Sequence, residues 1–486
     1  MGRLPTRIAL LCVAAATGLV AAGQAHASSR QVSIMQDDRL VYRSGADVRH
    51  RALDEMKALG TDVVKVQVYW QEVAPGPSKP AGFDGADPAS YEWSNYDDIV
   101  RSILSRGMQP LLTIGNRAPD WATGKRTSSH NGTYRPSARE FELFARAVGR
   151  RYSGSYAGLP RVTLWSIWNE PNLASWLQPQ RRRGGRIFLS PSIYRRLYLA
   201  GHRGLRDTGH GGDTILLGEL APTGSGTSKK VPPVAFVREI FCLDSRYRRY
   251  RGRAARLRGC PRRVGRIPTS GLAYHPYPPR GGPRARPHNR FDAGIGQLSR
   301  LTRVLDALSR RRKLARRRPL WITEYGFQTN PPDIFQFPIG RVPAYMDQSE
   351  WIAFRNRRVK SVDQFTLRDD PLSGRGFRRY AGFQQGLRFA SGRAKKNVYA
   401  AWRMPALALL RGARRVEVFA GLRGASPGTP FTVAARHRGG RYKRLGSGRV
   451  NASGYFRKLY RVSGASRRVY RIKIGGRSRT KRPTRG

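Results

Sequence analysis

Two glutamates stand out by their company. The stretch Leu164–Asn172, "LWSIWNEPN", is an apolar run that ends in Asn169-Glu170-Pro171, and Leu320–Phe327, "LWITEYGF", is a second apolar run ending in Glu324. A carboxylate at the tip of a run that otherwise suits a dry interior is costly unless it is paired or used. Other apolar runs end in similar company. "GLAYHPY" closes on His275 and Tyr277, "VVKVQVYW" carries Lys65 and ends in Trp70, and a third leads into Pro119-Asp120-Trp121. Two carboxyl groups brought to face each other offer one chemistry above others. One protonates a leaving oxygen while the other attacks the carbon or activates water, which is what cleavage of a glycosidic bond needs. The competing reading, two unrelated structural ion-pair partners, leaves the aromatic flanks of both runs unexplained.

For the tips to meet, the runs must be staves of one sheet. Eight short apolar runs recur between Val32 and Leu367: Val32–Gln36, Val63–Tyr69, Gln109–Ile114, Val162–Trp168, Thr214–Glu219, Gly271–His275, Leu320–Glu324 and Ser361–Leu367. Their continuous apolarity reads as buried parallel strands. Amphipathic stretches alternate with them, such as "VRHRALDEMKAL", "NYDDIVRSILSR" and "QLSRLTRVLDALSRR". Strand then helix, eight times over, predicts an α/β chain closed into a (β/α)₈ TIM barrel, whose strand C-termini converge on one face. Five Gly-, Pro- and Arg-rich insertions, Pro75–Pro88, Gln178–Ser190, Ala221–Pro233, Cys242–Pro268 and Pro278–Asn289, are expected as long βα loops on that face. After Asn397–Pro405, which reads as a closing helix, alternating strands and Gly/Ser/Asn turns predict a small all-β, sandwich-like domain over 411–475. The barrel is expected over 30–410, and residues 476–486 read as a basic disordered tail.

The formal net charge is +60 on 486 residues, most of it Arg spread along the whole chain. Such a balance can mean nucleic acid, anionic membranes or the acidic polymers of a cell surface, with a composition bias that fills exposed positions with Arg as the competing reading. No basic stripe is interleaved with aromatics, so nucleic acid is not expected as a partner. Arg3 and Arg7, the apolar run Ile8–Ala22 and Ala25-His26-Ala27 have the layout of a signal peptide over 1–27, cleaved after Ala27. A secreted, extracellular protein without a stable membrane span is expected. Beyond Cys12 in that segment only Cys242 and Cys260 remain, and an exported pair most simply forms one disulfide. Closing that loop is worth roughly 3 kcal/mol. His26, His50 and His130 have no metal-ligand spacing, and no cofactor motif is present, so no metal or cofactor is expected.

"WNEPN" followed much later by "WITEYGF" resembles the clan of (β/α)₈-barrel glycoside hydrolases with catalytic glutamates on strands four and seven, in particular its cellulase-like and β-xylosidase-like families. The resemblance covers Val32 to Pro405. It implies a retaining hydrolase acting on a carbohydrate, with Glu170 as acid/base and Glu324 as nucleophile. It further implies Asn169 at the sugar 2-hydroxyl, His275 and Tyr277 beside the nucleophile, and an accessory role for the C-terminal β-domain. Two departures are visible. The clan carries Arg on strand two where this chain has Lys65, which keeps the charge but loses the bidentate fork. Strand eight usually ends in an aromatic platform, often Trp, where "FTLRDDP" supplies Phe365, Arg368 and Asp369.

The chemistry also follows from the residues themselves. Ionised Glu324, together with burial among Trp165, Trp168 and Trp176, is expected to raise the pKa of Glu170. Trp70, Trp121 and Trp176 are candidate stacking platforms for a sugar, with core packing as the competing role of each. A carbohydrate- or cell-wall-polymer-binding protein without turnover is the alternative on the same fold.

Overall fold

The computed structural model describes residues 31–485 except 125–130, 184, 225–228 and 438. The expected signal peptide, with Cys12 and His26, lies outside the described residues, as does His130. Eight parallel strands close a barrel: β1 (Val32–Gln36), β2 (Val63–Tyr69), β3 (Gln109–Gly115), β4 (Leu164–Ile167), β5 (Thr214–Leu220), β6 (Gly271–Tyr274), β7 (Leu320–Ile322) and β8 (Val359–Phe365). Each pairs with the next, and β8 pairs with β1. Asp37, just past β1, helps seal that seam by accepting from the backbone N–H groups of Leu367 and Arg368 at 3.2 and 3.0 Å.

Strand alternation builds the barrel interior in layers. Ile34, Val63, Leu111, Leu164, Leu216, Ala273 and Trp321 form an apolar plug. The residues two further along β2, β3, β4, β6, β7 and β8 point the same way, one layer higher. There Lys65, Thr113, Ser166, His275, Thr323 and Asp363 lie buried. The plug thus forms the dry floor of a polar mouth.

The helices wrap this barrel with their apolar faces inward. Ala138–Arg151 shows how the sequence sets one. Ser137 caps it, its hydroxyl accepting from Glu140 N at 3.3 Å, a contact worth about 1 kcal/mol. Phe141, Phe144, Ala145 and Val148 lie at helical spacing and are fully buried. Arg150 and Arg151 complete the last turn, where cations complement the helix dipole.

Four of the five insertions lie between a strand and its following helix, as expected. The fifth does not. Cys242–Pro268 follows the helix Pro233–Ile240 and leads into β6, so it sits on the face opposite the strand C-termini. A helical pattern intervenes between β5 and this insertion, and passing through a helix returns the chain to the other end of the barrel. The disulfide Cys242–Cys260 is formed there. Replacing both cysteines by alanine is expected to lower stability by roughly 3 kcal/mol from lost loop closure, read as a urea midpoint shift, without altering the mouth.

The C-terminal domain is a sandwich of two four-stranded sheets. Its strands are β9 (Ala406–Leu410), β10 (Arg415–Gly421), β11 (Pro430–His437), β12 (Lys443–Arg449), β13 (Tyr455–Arg461), β14 (Arg468–Ile474), β15 (Arg477–Lys481) and β16 (Thr484–Arg485). The sheet orders are β13-β10-β9-β16 and β12-β11-β14-β15. Two expectations are corrected here. The domain begins at β9, before residue 411, and the stretch from residue 476 that read as a disordered tail supplies β15 and β16. The reason is a buried partner. Asp347, on the barrel helix Val342–Arg355, is fully enclosed, and Arg479 reaches it at 2.6 Å with Lys481 beside it. A few residues along that helix, Glu350 meets Arg423 at 2.6 Å and the Tyr455 hydroxyl. Trp351 and Phe354 pack on Leu407, Leu409, Phe419 and Tyr455. The β-domain is therefore seated on the barrel by an apolar patch with buried ion pairs. Replacing Arg479 and Lys481 together by alanine leaves Asp347 without its cations and is expected to cost about 3–5 kcal/mol. A denaturation midpoint equal to that of the parent protein would count against this account of the tail.

Candidate active site

Two of the residues just after β4 carry unusual backbone. Trp168 has φ +67° and Glu170 φ +38°, and Glu219 at the end of β5 has φ +55°. Left-handed conformations at non-glycine residues cost about 1–3 kcal/mol and persist only where neighbours enforce them. The enforcing bonds are present. Trp168 N donates to Ile114 O and Glu170 N to Glu219 O, each at 2.9 Å. The buried Asn172 side chain donates to Ala221 O and Val231 O and accepts from Ala221 N. Asn172 thereby ties the loop after β4 to the loop after β5 and holds Glu170 at the mouth.

Glu170 and Glu324 face one another across His275. One carboxylate oxygen of each and a ring nitrogen of His275 all lie within 4.8 Å of one another. His275 Nδ1 is 3.0 Å from Glu170 Oε1 and 3.6 Å from Glu324 Oε2. Trp176 Nε1 donates to the other oxygen of Glu170 at 3.3 Å. The Tyr277 hydroxyl donates to Glu324 Oε1 at 2.6 Å. Burial and the neighbouring Glu324 hold the Tyr277 hydroxyl well above its usual pKa, so it stays a donor. The structure thus gathers Glu170, Glu324, His275, Tyr277 and Lys65 at one point, with Asn169 beside them. Asn169 is buried, and its Oδ1 has no hydrogen-bond partner among the described residues.

Lys65 is shared between two glutamates. Its Nζ lies 3.7 Å from Glu324 Oε2 but 2.5 Å from Glu219 Oε2. Burial opposes its charge, but Glu219 and then Glu324 outweigh that and raise its pKa. Glu219 was not singled out in the sequence, although it ends the fifth apolar run just as Glu324 ends the seventh. Alternation from the inward Leu216 would turn residue 219 outward. The register between β5 and β6 shifts between Gly218 and Leu220, and this bulge brings Glu219 inward. Gly218 permits it: its φ is +118°, and a Cβ there would lie 2.6 Å from Ala273 O. Its N–H, freed from the ladder, donates to the Tyr194 hydroxyl at 2.7 Å. Asp363 on β8 also escaped notice. Burial holds its carboxyl well above the usual range, and it accepts from Tyr325 N at 2.8 Å.

The three tryptophans part company. Trp70 is fully buried and stacks on Phe144 at 5.3 Å, so it is core and cannot meet a sugar. It sits at the end of β2, but the helix Trp70–Val73 that begins there turns its ring under Ala138–Arg151. Trp121 is half-buried, edge-on to Trp70 and Phe83. Trp176 is half-buried beside Glu170. At the end of β8, Phe365 is buried and meets Phe383 edge-on at 4.9 Å, and Phe383 is 46% exposed. Asp369 is buried against Lys395 at 2.8 Å. The exposed aromatic of strand eight is therefore supplied from a later loop.

Glu170, His275 and Glu324 are close enough together to hold a cation, but their chemistry does not fit one. Both His275 nitrogens face carboxylate oxygens, and the imidazolium that its raised pKa favours leaves no lone pair for a metal.

An eight-stranded parallel barrel with a C-terminal β-domain makes the chain a (β/α)₈ TIM barrel, the fold that the resemblance implied. Among solved structures it is similar to a glucosidase from Croceicoccus marinus, with a TM-score of 0.51 and 13% identity over 93% of this chain and 98% of that one. A GH5_18 protein from Streptomyces cattleya aligns at TM-score 0.47 and 15% identity, over 78% of this chain and 81% of that one. A GH30 endoxylanase from Clostridium papyrosolvens aligns at TM-score 0.44 and 8% identity, over 93% and 97%. These likenesses concern fold. No family model matches the sequence, and no curated protein is similar to it.

Proposed function

We propose that the protein is an exported retaining glycoside hydrolase that cleaves β-linked O-glycosidic bonds of an oligo- or polysaccharide by double displacement. One observation carries the reading: the carboxylates of Glu170 and Glu324 approach within 4.8 Å at the barrel mouth. Retaining enzymes hold their carboxyl groups about 5–5.5 Å apart, whereas inverting ones leave room for a water. Glu324 attacks the anomeric carbon, aligned by the Tyr277 hydroxyl and the Lys65 charge. Glu170 passes its proton to the leaving oxygen and later takes one from water. Asn169, whose amide oxygen has no partner among the described residues, meets the 2-hydroxyl. Trp176, Trp121 and Phe383 offer faces for the sugar ring, and the disulfide suits an oxidising exterior.

The test is the configuration of the product. An active aryl β-glycoside should release the β-anomer first, seen by proton NMR before mutarotation. Initial release of the α-anomer rules out double displacement. Glycan binding with no turnover across a broad substrate panel favours the non-catalytic alternative.

A second activity has its own support. Arg266, Arg310, Arg312, Arg316 and Arg317 line one depression in the loops leading into β6 and β7, on the face opposite the mouth. Arginine forks bind anionic oxygens bidentately. This face suits an anionic cell-surface polymer, and such binding should weaken with salt and ignore both glutamate substitutions.

A further inference from the structure

Glu219 takes no part in the two-glutamate reaction, yet it is a fully enclosed carboxylate at its centre. Among the described residues, three polar side chains meet its carboxylate. Lys65 Nζ lies at 2.5 Å from Oε2, the Thr113 hydroxyl donates to Oε1 at 3.2 Å, and His275 Nε2 lies 3.2 Å from Oε2. Burial alone would push its carboxyl up, but Lys65 and then His275 outweigh it and hold Glu219 down at about 2. It is therefore ionised and can only accept, so His275 Nε2 carries a proton. The other ring nitrogen faces Glu170 Oε1 at 3.0 Å and Glu324 Oε2 at 3.6 Å, again acceptors.

We propose that Glu219 is a positioning residue: it holds His275, against the opposing charge of Lys65, as an imidazolium whose Nδ1–H is shared between Glu170 and Glu324 and serves whichever carries the negative charge. This rests on the double-displacement reading. Before attack the charge sits on Glu324. Once Glu324 is bonded to the sugar and Glu170 has given up its proton, the charge sits on Glu170, within reach of the same N–H. No bond to His275 or Glu219 forms or breaks, and the Nδ1 proton stays in place through both steps. A cation between the two carboxylates thus stabilises each charged state in turn without reorganising. Lys65 alone could not do this, because Glu219 already claims it.

The groups facing His275 come from five strands or strand ends: Lys65, Glu170, Glu219, Glu324 and Asp363. Burial and Lys65 work against its charge. Glu324 and the hydrogen bonds to Glu170 and Glu219 outweigh them and push its pKa up to about 9. Burial holds the Asp363 carboxyl well above its usual range.

The test follows the imidazole directly. In ¹⁵N-histidine-labelled protein, with His275 assigned by its loss in His275→Gln, the ring should be doubly protonated at neutral pH. In Glu219→Gln it should release a proton about 1–3 pH units lower, and the alkaline limb of kcat/KM should move down with it. Glu219→Asp should restore the parent titration. Lys65→Met, which removes a cation, should move it the opposite way. A neutral His275 at pH 7 in the parent protein overturns the proposal even if Glu219→Gln fails to fold, and so does an unchanged titration in a folded Glu219→Gln. These titrations do not depend on turnover. An inactive parent protein with the titrations intact would therefore overturn the glycosidase reading while leaving the charge arrangement standing.

Discussion

Replacing Glu324 by alanine is expected to lower kcat on an aryl β-glycoside by on the order of 10⁵-fold, about 7 kcal/mol of transition-state stabilisation. The size follows from its role as the atom that forms the bond. Without it, water must attack an oxocarbenium-like carbon with no nucleophile in place. Unfolding does not explain such a loss, because Lys65 keeps its nearer partner Glu219 at 2.5 Å and His275 keeps Glu170 and Glu219. The thermal midpoint should therefore change little. The vacated space should also admit a small anion. Azide is expected to restore turnover and to yield the α-glycosyl azide, because it enters from the side that Glu324 occupied. Parent-like activity in this variant removes Glu324 from the nucleophile role.

Glu170→Gln should show a loss that depends on the leaving group. For substrates whose leaving oxygen needs a proton, the expected fall is about 10²–10⁴-fold, the usual worth of a general acid. For a dinitrophenyl glycoside, which departs without help, the first step should be nearly spared. The second step then limits, because no base activates water, so kcat and KM should fall together as the glycosyl-enzyme accumulates. Stopped-flow traces should show a burst of dinitrophenol followed by a slow phase. A uniform loss across leaving groups would falsify the assignment of Glu170 as acid/base. Gln preserves the shape of the side chain and can still accept from Trp176 Nε1, so the comparison isolates the proton.

Both predictions concern residues that the sequence brought forward, and the reason lies in strand periodicity. A buried parallel strand needs a continuous apolar run, so each stave was visible, and the bounds of all eight agree with the structure to within two residues. Polar residues that end such runs must lie where the strands end. That placed Glu170, His275 and Glu324 at one mouth and made their meeting a consequence of barrel closure. The disulfide followed from there being a single pair of cysteines to join.

Other features depended on partners far away in the chain. Glu219 turns inward only because a bulge at Gly218 breaks the alternation, and a bulge leaves no mark in the period of an apolar run. Trp70 and Trp176 look alike in sequence, yet one lies under a helix and the other beside Glu170, a difference set by where the next element packs. The basic C-terminal stretch is ordered because Asp347, more than a hundred residues earlier, needs cations inside an interface. Sequence alone determined the staves and the two glutamates at their tips, because local periodicity and burial decide both. Tertiary structure alone decided the surroundings of those glutamates, the Lys65–Glu219–His275 array and the seating of the β-domain, because a buried charge takes its place from its partner, and the partners belong to other strands.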